Sequence, residues 1–195
     1  MTRGRITVRT AEASQASKLY ALISANLEEG HLLPRTLDEL VVHAERFAIA
    51  VRGSKMVGCA ELAPLSPHVA EVRSLAVHRL DRSHGVGTLL VDELRRRARR
   101  EGFEKLCAFT HAPGYFIQMG FSIVPHLWLP EKIFTDCVKC PHFRRCGQHA
   151  MIVSLDGARD RSLDEARDRS HDEARGRPLE LMVDDRRPAS IARYA

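Results

Sequence analysis

The pattern of apolar and polar positions along the chain predicts alternating strands and helices. Alternating or compact apolar runs predict strands at 6–9, 47–51, 56–62, 71–77, 106–110, 121–124 and 149–155. Apolar residues three and four positions apart predict helices at 16–27, 37–43, 87–101 and 115–119. This order of elements predicts an α/β fold in which helices cover a mixed sheet.

The C-terminal segment 156–195 departs from this pattern. The sequence ARDRSLDE at 158–165 recurs as ARDRSHDE at 166–173, and its apolar positions are too few to form a buried face. We therefore predict one domain over 5–155, which includes a less regular insertion rich in Cys and His at 125–148. A disordered, charged, low-complexity tail is expected at 156–195.

Composition excludes some classes of protein. The chain has 195 residues, of which 44% are hydrophobic, and this is enough to build a core. No apolar run is long enough to cross a membrane, and no apolar leader precedes the first strand. We therefore expect a cytoplasmic protein with no membrane partner.

The net charge of +5 is unevenly distributed, since residues 156–195 carry −1 and residues 1–155 carry +6. Many of the positive charges lie in the helix at 87–101, in Arg95, Arg96, Arg97, Arg99 and Arg100. A nucleic-acid surface is one interpretation, but no aromatic residues interleave with these arginines, so a solvated helix face is favoured. A basic body also suits an anionic cofactor and an acidic substrate.

A strand, a glycine-bearing turn and a helix follow one another at 71–101. The turn reads Arg82-Ser83-His84-Gly85-Val86-Gly87. The first amides of a helix lack internal partners, and glycine lets the backbone approach a bulky phosphate, so this turn predicts an anion site to which Arg82 adds a mobile charge. A loop that merely contains two glycines is the alternative. The pattern is neither a P-loop nor a dinucleotide fingerprint.

Two motifs together resemble the GNAT N-acetyltransferases. Arg82-x-x-Gly85-x-Gly87 follows the strand end Leu75-Ala76-Val77, and an aromatic residue, Phe116, stands four positions before Gly120-Phe121. The resemblance implies a mixed, mostly antiparallel sheet flanked by helices and acetyl-CoA as co-substrate. It implies cofactor binding by Leu75 and Val77 through the pantetheine arm, and by Arg82, Ser83, His84, Gly85, Val86 and Gly87 through the pyrophosphate.

The same strand carries the candidate catalytic residue. Side chains alternate along a strand, so Glu71 and Arg73 share a face, with Glu71 as a candidate general base and Arg73 as a candidate carboxylate ligand. A surface ion pair is the alternative. Many GNAT enzymes have a tyrosine, the proposed acid, at the position held here by Phe116, which cannot donate a proton. Tyr115 is adjacent but is expected to point elsewhere on the helix, so the thiolate leaves without an assigned acid.

Within the family, three segments resemble the short N-acetylglutamate synthases that lack a kinase-like domain. They are Leu33-Pro34-Arg35, the strand 71–77 and the segment 132–151. The resemblance implies glutamate as acceptor and a step in arginine biosynthesis, and Arg35 and Arg73 suit its two carboxylates. Another small amine, a protein N-terminus, or a non-catalytic acyl-CoA-binding module are the alternatives. A homodimer is possible.

The cysteines fall into two groups. Cys59 and Cys107 lie in predicted strands and are expected in the core. The spacing Cys137-x2-Cys140-x5-Cys146-x2-His149 makes a zinc knuckle an alternative. No metal is expected, because the second pair is not Cys-x2-Cys and nothing else requires one.

Overall fold

The computed structural model describes residues 5–27, 32–140 and 142–155. The strands are β1 (Ile6–Thr10), β2 (Phe47–Arg52), β3 (Lys55–Pro64), β4 (Val69–Val77), β5 (Lys105–Thr110), β6 (Ser122–Val124) and β7 (His149–Ser154). The helices are α1 (Ala16–Leu27), α2 (Leu37–Val42), α3 (Val86–Arg100), α4 (Pro113–Gln118) and α5 (Pro130–Thr135). The predicted tail at 156–195 lies outside the described residues.

All seven strands form one sheet in the order β1-β2-β3-β4-β5-β7-β6. β4 and β5 run parallel, and every other neighbouring pair is antiparallel. The predicted α/β fold, a mixed and mostly antiparallel sheet flanked by helices, is confirmed. The structure adds α5, which the sequence pattern did not predict within the irregular insertion.

Helices cover both faces of the sheet. On one face α3 buries an apolar stripe against the strands, and α4 adds Phe116 to the same core. The stripe consists of Val86, Leu90, Val91, Leu94 and Ala98. On the other face α1 packs Leu19 and Ile23 against Phe47 and Ile49 of β2. The strand β4, which carries the candidate catalytic residue predicted from the sequence, lies between these two helical layers.

Local capping signals place the element ends as predicted. The Thr36 hydroxyl accepts the Glu39 N–H at 3.2 Å and begins α2. α3 is followed by Gly102 with a φ of 84°, and Arg52 pairs with Lys55 across the β2–β3 hairpin. No helix in the described ranges is long and apolar enough to cross a membrane.

The arginines of α3 contact other elements of the chain. The Arg95 guanidinium donates to the Met119 carbonyl, and Arg99 donates to Leu155 O at 3.3 Å. Arg97 donates to Glu45 O at 2.6 Å. The interpretation of this run as a solvated face is therefore too simple, because these three side chains join α3 to neighbouring segments through backbone carbonyls.

Candidate active site

The central strands β4 and β5 separate part-way along the sheet. Within the described residues they pair only as far as Val72 and Ala108, although β4 continues to Val77. Ser74 has a φ of 49° at a bulge that shifts the register between β3 and β4. The second half of β4 therefore has a backbone edge with which an extended, amide-containing ligand can pair.

The turn between β4 and α3 gathers backbone amides at one point. Gly85 precedes the helix with a φ of 76°, a conformation that glycine adopts without a steric penalty. The first helical bond runs from Leu89 N to Gly85 O at 3.0 Å, so the amides of the turn before Leu89 have no helical acceptor. They lie at the positive end of a 15-residue helix, which favours an anion such as a phosphate.

Arg82 fixes this turn to the rest of the domain. Its Nε donates to the Val77 carbonyl at 3.1 Å, and a terminal nitrogen donates to Asn26 Oδ1 at 2.5 Å. Asn26 lies on α1 and is 6% exposed. The predicted mobile charge is therefore held in place, and Arg82 links the end of β4 to α1.

A second ion pair holds the loop before the turn. Asp81 is buried and pairs with Arg52 of the β2–β3 hairpin, and His78 Nδ1 lies 3.3 Å from the same carboxylate. Because Asp81 immediately precedes Arg82, these contacts fix where the amides of the turn point. The sequence analysis missed this pair, since Arg52 lies far from Asp81 along the chain.

Tyr115 lies against the first turn of α3. A β-carbon built on Gly87 would lie 2.8 Å from the Tyr115 hydroxyl oxygen. Burial outweighs the interaction with Thr88 and raises the pKa of Tyr115 to about 12, so the phenol stays protonated at neutral pH. As expected from the helix, Phe116 points elsewhere, into the core against Phe121.

On the opposite face of β4, four charged side chains form a closed ring. Arg73 Nε and Lys132 Nζ both donate to Glu71 Oε2, at 2.5 and 2.8 Å. Both cations also donate to Asp136 Oδ2, Lys132 at 2.9 Å. The predicted pairing of Glu71 and Arg73 on one strand face is thus seen, and Glu71 is 3% exposed. We call these four residues the charge ring.

The charge ring keeps Arg73 cationic. Burial alone would lower the pKa of Arg73, but the carboxylates of Glu71 and Asp136 outweigh burial and raise it above its ordinary value. Lys132 and Asp136 both belong to the α5 region, four positions apart. A spacing of four positions is compatible with a helix, but it does not indicate that Lys132 and Asp136 lie beside Glu71 and Arg73.

Arg35 lies beside this ring. It donates to Glu61 Oε2 at 2.5 Å and lies 3.3 Å from Glu39 Oε1. Glu61 is 1% exposed and stands opposite Arg73 in the β3–β4 register. The structure therefore brings Arg35 and Arg73 to adjacent positions, as the glutamate hypothesis requires. It also places Glu61 against Arg35 and Asp136 against Arg73, which the sequence analysis did not foresee.

The chain is similar to known acetyltransferases. The model of the acetyltransferase (GNAT) family matches residues 14–121. The chain belongs to this family. An uncharacterized N-acetyltransferase of Chlorobaculum tepidum is 31% identical over 148 residues, which are 76% of this chain and 96% of that relative.

Other relatives of this GNAT protein act on amino acids. An amino-acid acetyltransferase of Pectobacterium carotovorum is 30% identical over 64% of this chain, and the chain spans only 29% of that relative's length. N-acetylglutamate synthase from Neisseria gonorrhoeae, complexed with coenzyme A and N-acetyl-glutamate, is similar in structure with a TM-score of 0.70 and 25% identity. That match covers 79% of this chain and 36% of the synthase.

The cysteines of this GNAT domain do not build a metal centre within the described residues. Cys59 and Cys107 are fully buried, as predicted. Burial raises the pKa of Cys59 to about 12 and that of Cys107 well above its usual range. Around Cys137, Cys140 and Cys146, as elsewhere in the described ranges, no three His, Cys, Asp or Glu side chains are arranged to hold a metal ion. The zinc alternative gains no support from these positions.

Proposed function

We propose that this protein transfers the acetyl group of acetyl-CoA to the α-amine of glutamate. The charge ring and Arg35 carry the proposal. They place the buried carboxylate of Glu71 against Arg73 and Lys132, on the opposite face of β4 from α3, and Arg35 against the neighbouring Glu61. The similarity to N-acetylglutamate synthase supports the same acceptor. With glutamate as acceptor, the protein serves arginine biosynthesis in the cytoplasm.

The cofactor residues of this proposal divide by role. Ser83, His84, Gly85, Val86 and Gly87 supply the turn and the backbone amides for the pyrophosphate. Leu75 and Val77 supply β4 backbone groups for the pantetheine arm. Arg82 acts by holding the turn, because its guanidinium donates to Val77 and Asn26. Acetyl-CoA supplies the reactive thioester.

Glu71 acts as the general base. The amine nitrogen bonds to the thioester carbonyl carbon, the C–S bond breaks, and the proton lost by the amine passes to Glu71 directly or through a water. Arg73 and Lys132 hold Oε2 of this carboxylate in place. Phe116 carries no proton to donate, and the Tyr115 hydroxyl lies against Gly87, so in this proposal the thiolate leaves without a protein acid.

Arg35 and Arg73 bind the two carboxylates of glutamate. A guanidinium pairs with a carboxylate through two parallel hydrogen bonds, and lysine cannot reproduce that planar fork. Loss of one such contact in a partly dry site costs about 2–4 kcal/mol, or tens- to hundreds-fold in kcat/KM. The kcat/KM for glutamate should therefore fall, whereas the KM for acetyl-CoA should stay unchanged.

Acceptor competition tests this proposal. The full chain is incubated with acetyl-CoA and glutamate, glutamine or spermidine, and the acetylated product is quantified by mass spectrometry. We expect the wild-type protein to acetylate glutamate fastest. The Arg73→Lys variant should acetylate glutamate at only part of the wild-type rate. Glutamine or spermidine reacting as fast as glutamate would overturn the acceptor assignment. Acetyl-CoA binding without turnover of any amine would point to the non-catalytic module.

A further inference from the structure

We propose that Asp136 is an internal substitute for the acceptor's carboxylate, which displaces Asp136 from Arg73 and Lys132. This inference rests on the proposed function, because it names the position where an anionic acceptor binds. Arg73 and Lys132 both donate to Oδ2 of Asp136, Lys132 at 2.9 Å. Two cations that converge on one carboxylate oxygen form a binding position for a carboxylate group.

The two carboxylates of the charge ring are not equivalent. The Glu71 side chain is 3% exposed and projects from the central strand β4. The Asp136 side chain is 35% exposed and follows the six-residue helix α5 as its C-cap. Glu71 is therefore a fixed part of the site, whereas Asp136 can leave it through rotation of a partly exposed side chain.

The position of Asp136 at a helix end makes it easier to displace. The carbonyl end of a helix carries partial negative charge and disfavours an anion there. Asp136 N–H donates to Lys132 O at 3.0 Å, so Asp136 closes the last turn of α5 at the carbonyl end of this helix. The interaction with Arg73 and Lys132 offsets this unfavourable location, and a substrate carboxylate can offer the same two cations an equal contact.

Occupation by Asp136 lowers the apparent affinity for the acceptor. A site that is open only a fraction of the time binds its ligand more weakly by that fraction. If Asp136 fills the position about 70–90% of the time, its removal should tighten acceptor binding by about 3- to 10-fold. Acetyl-CoA, which binds on β4 and at the turn before α3, should be unaffected.

Asp136→Asn tests this inference, since it removes the charge and keeps the size. Glu131→Gln is the matched control, with the same change of charge in the first turn of the same helix. We would measure KM for glutamate and for acetyl-CoA. Binding of glutarate, a dicarboxylate without an amine, would be measured by calorimetry without turnover. We expect Asp136→Asn to lower the glutamate KM and tighten glutarate binding, and Glu131→Gln to change neither.

Other outcomes separate the inference from the proposed function. Suppose that glutamate is acetylated but Asp136→Asn has an unchanged or raised glutamate KM and unchanged glutarate binding. This result would overturn the inference and leave the proposed function standing. If no amino acid is acetylated but Asp136→Asn binds glutarate more tightly, the carboxylate position stands and the proposed reaction fails. Adding Lys132→Met to Asp136→Asn should abolish the gain in glutarate binding. A gain that persists in this double variant would overturn the role of Lys132.

Discussion

The hydroxyl of Tyr115 occupies the space that a side chain on Gly87 would need. An ideal β-carbon on Gly87 would lie 2.8 Å from this oxygen, closer than van der Waals contact allows. The need for glycine at position 87 therefore has a cause within the protein, besides any approach of a phosphate to the same turn. Gly85 differs, because its β-carbon would meet nothing within 4 Å while its φ of 76° is left-handed.

Gly87→Ala should destabilise the domain and weaken acetyl-CoA binding. The added methyl group forces the Tyr115 side chain or the first turn of α3 to shift, and overpacking of this kind costs about 1–3 kcal/mol. Tyr115→Phe removes the clashing oxygen, so the double variant should regain part of the lost stability and cofactor affinity. Thermal unfolding and the acetyl-CoA KM measure both effects.

Gly85→Ala is the control for this pair. Gly85→Ala should lose about 1–2 kcal/mol of stability because its backbone is left-handed. Adding Tyr115→Phe should therefore not restore the stability of this variant. Equal recovery of Gly85→Ala and Gly87→Ala, or a Gly87→Ala protein as stable as the wild type, would contradict the steric explanation.

Arg82→Ala should lower stability through its hydrogen bonds. Arg82 bonds to Val77 O and to the buried Asn26, and loss of charged hydrogen bonds that leaves a buried partner unpaired costs about 1–3 kcal/mol. Arg82→Lys should recover little, because an ammonium cannot reproduce two separate guanidinium contacts. Thermal unfolding of both variants checks this.

The acetyl-CoA KM separates this role from direct phosphate binding by charge. If the positive charge itself binds the pyrophosphate, Arg82→Lys should keep the wild-type KM, and that result would contradict the positioning role. Arg96→Ala is a suitable control, since it removes one positive charge from the side of α3, where Arg96 pairs with Glu93 and is 60% exposed.

Local signals made much of the fold predictable from the sequence. The Thr36 cap of α2 depends on residues three positions apart, and the shared face of Glu71 and Arg73 depends on two. Strand alternation and helix periodicity are likewise short-range patterns, so they identified the strands and the main helices. The glycine-bearing turn after β4 was predictable for the same reason.

The acceptor side depends on contacts between distant parts of the chain. Lys132 lies 61 positions from Glu71, and Asp136 lies 63 positions from Arg73. Single-sequence patterns carry no information on such pairs, so the contacts of Asp136 with Arg73 and of Glu61 with Arg35 were missed. The position of Tyr115 was missed similarly, because the helical angle relative to Phe116 does not show which element Tyr115 meets.

The cysteines should separate by reactivity. Burial raises the pKa of Cys59 to about 12 and that of Cys107 well above its usual range, so neither forms a thiolate at pH 8. Cys137, Cys140 and Cys146 are partly or fully exposed. Burial also raises the pKa of Cys137. Iodoacetamide at pH 8, followed by peptide mass spectrometry, should therefore label Cys140 and Cys146 fastest and Cys137 more slowly in the folded protein, and all five cysteines after unfolding.

The raised pKa of Cys59 also predicts a pH dependence of stability. The folded state holds the thiol proton more tightly than the unfolded state, whose pKa is near 9.0. The resulting stabilisation is complete below pH 9 and is lost as the pH rises toward about 12. Cys59→Ala should therefore lose less stability than the wild type between pH 9 and 11 in chemical unfolding. Equal losses would contradict the assigned pKa.

Truncation after Asp156 should leave a folded domain. Leu155 N–H donates to Glu104 O at 2.7 Å, and Arg99 donates to Leu155 O at 3.3 Å, so the chain up to this point completes the last strand and its contacts with α3. We expect the melting temperature and turnover of residues 1–156 to match those of the full chain. A large fall in either would show that the segment 157–195 contributes to the domain.

Arg35 is expected to act both in stability and in acceptor binding. Its guanidinium donates to Glu61 at 2.5 Å, and the Glu61 side chain is 2% exposed. Removal of one partner of a buried ion pair leaves an uncompensated charge and costs about 3–5 kcal/mol. Arg35→Ala should therefore lower the melting temperature as well as kcat/KM for glutamate, and the single variant cannot separate the two effects.

The double variant Arg35→Met, Glu61→Gln separates them. It removes both charges and keeps similar side-chain volumes, so no buried charge is left unpaired and the melting temperature should return toward that of the wild type. If Arg35 binds a carboxylate of the acceptor, the glutamate KM should stay tens-fold above the wild-type value, while the acetyl-CoA KM stays unchanged. A double variant that regains both stability and the wild-type glutamate KM would show that Arg35 serves only to neutralise Glu61. The second carboxylate of the acceptor would then need another partner.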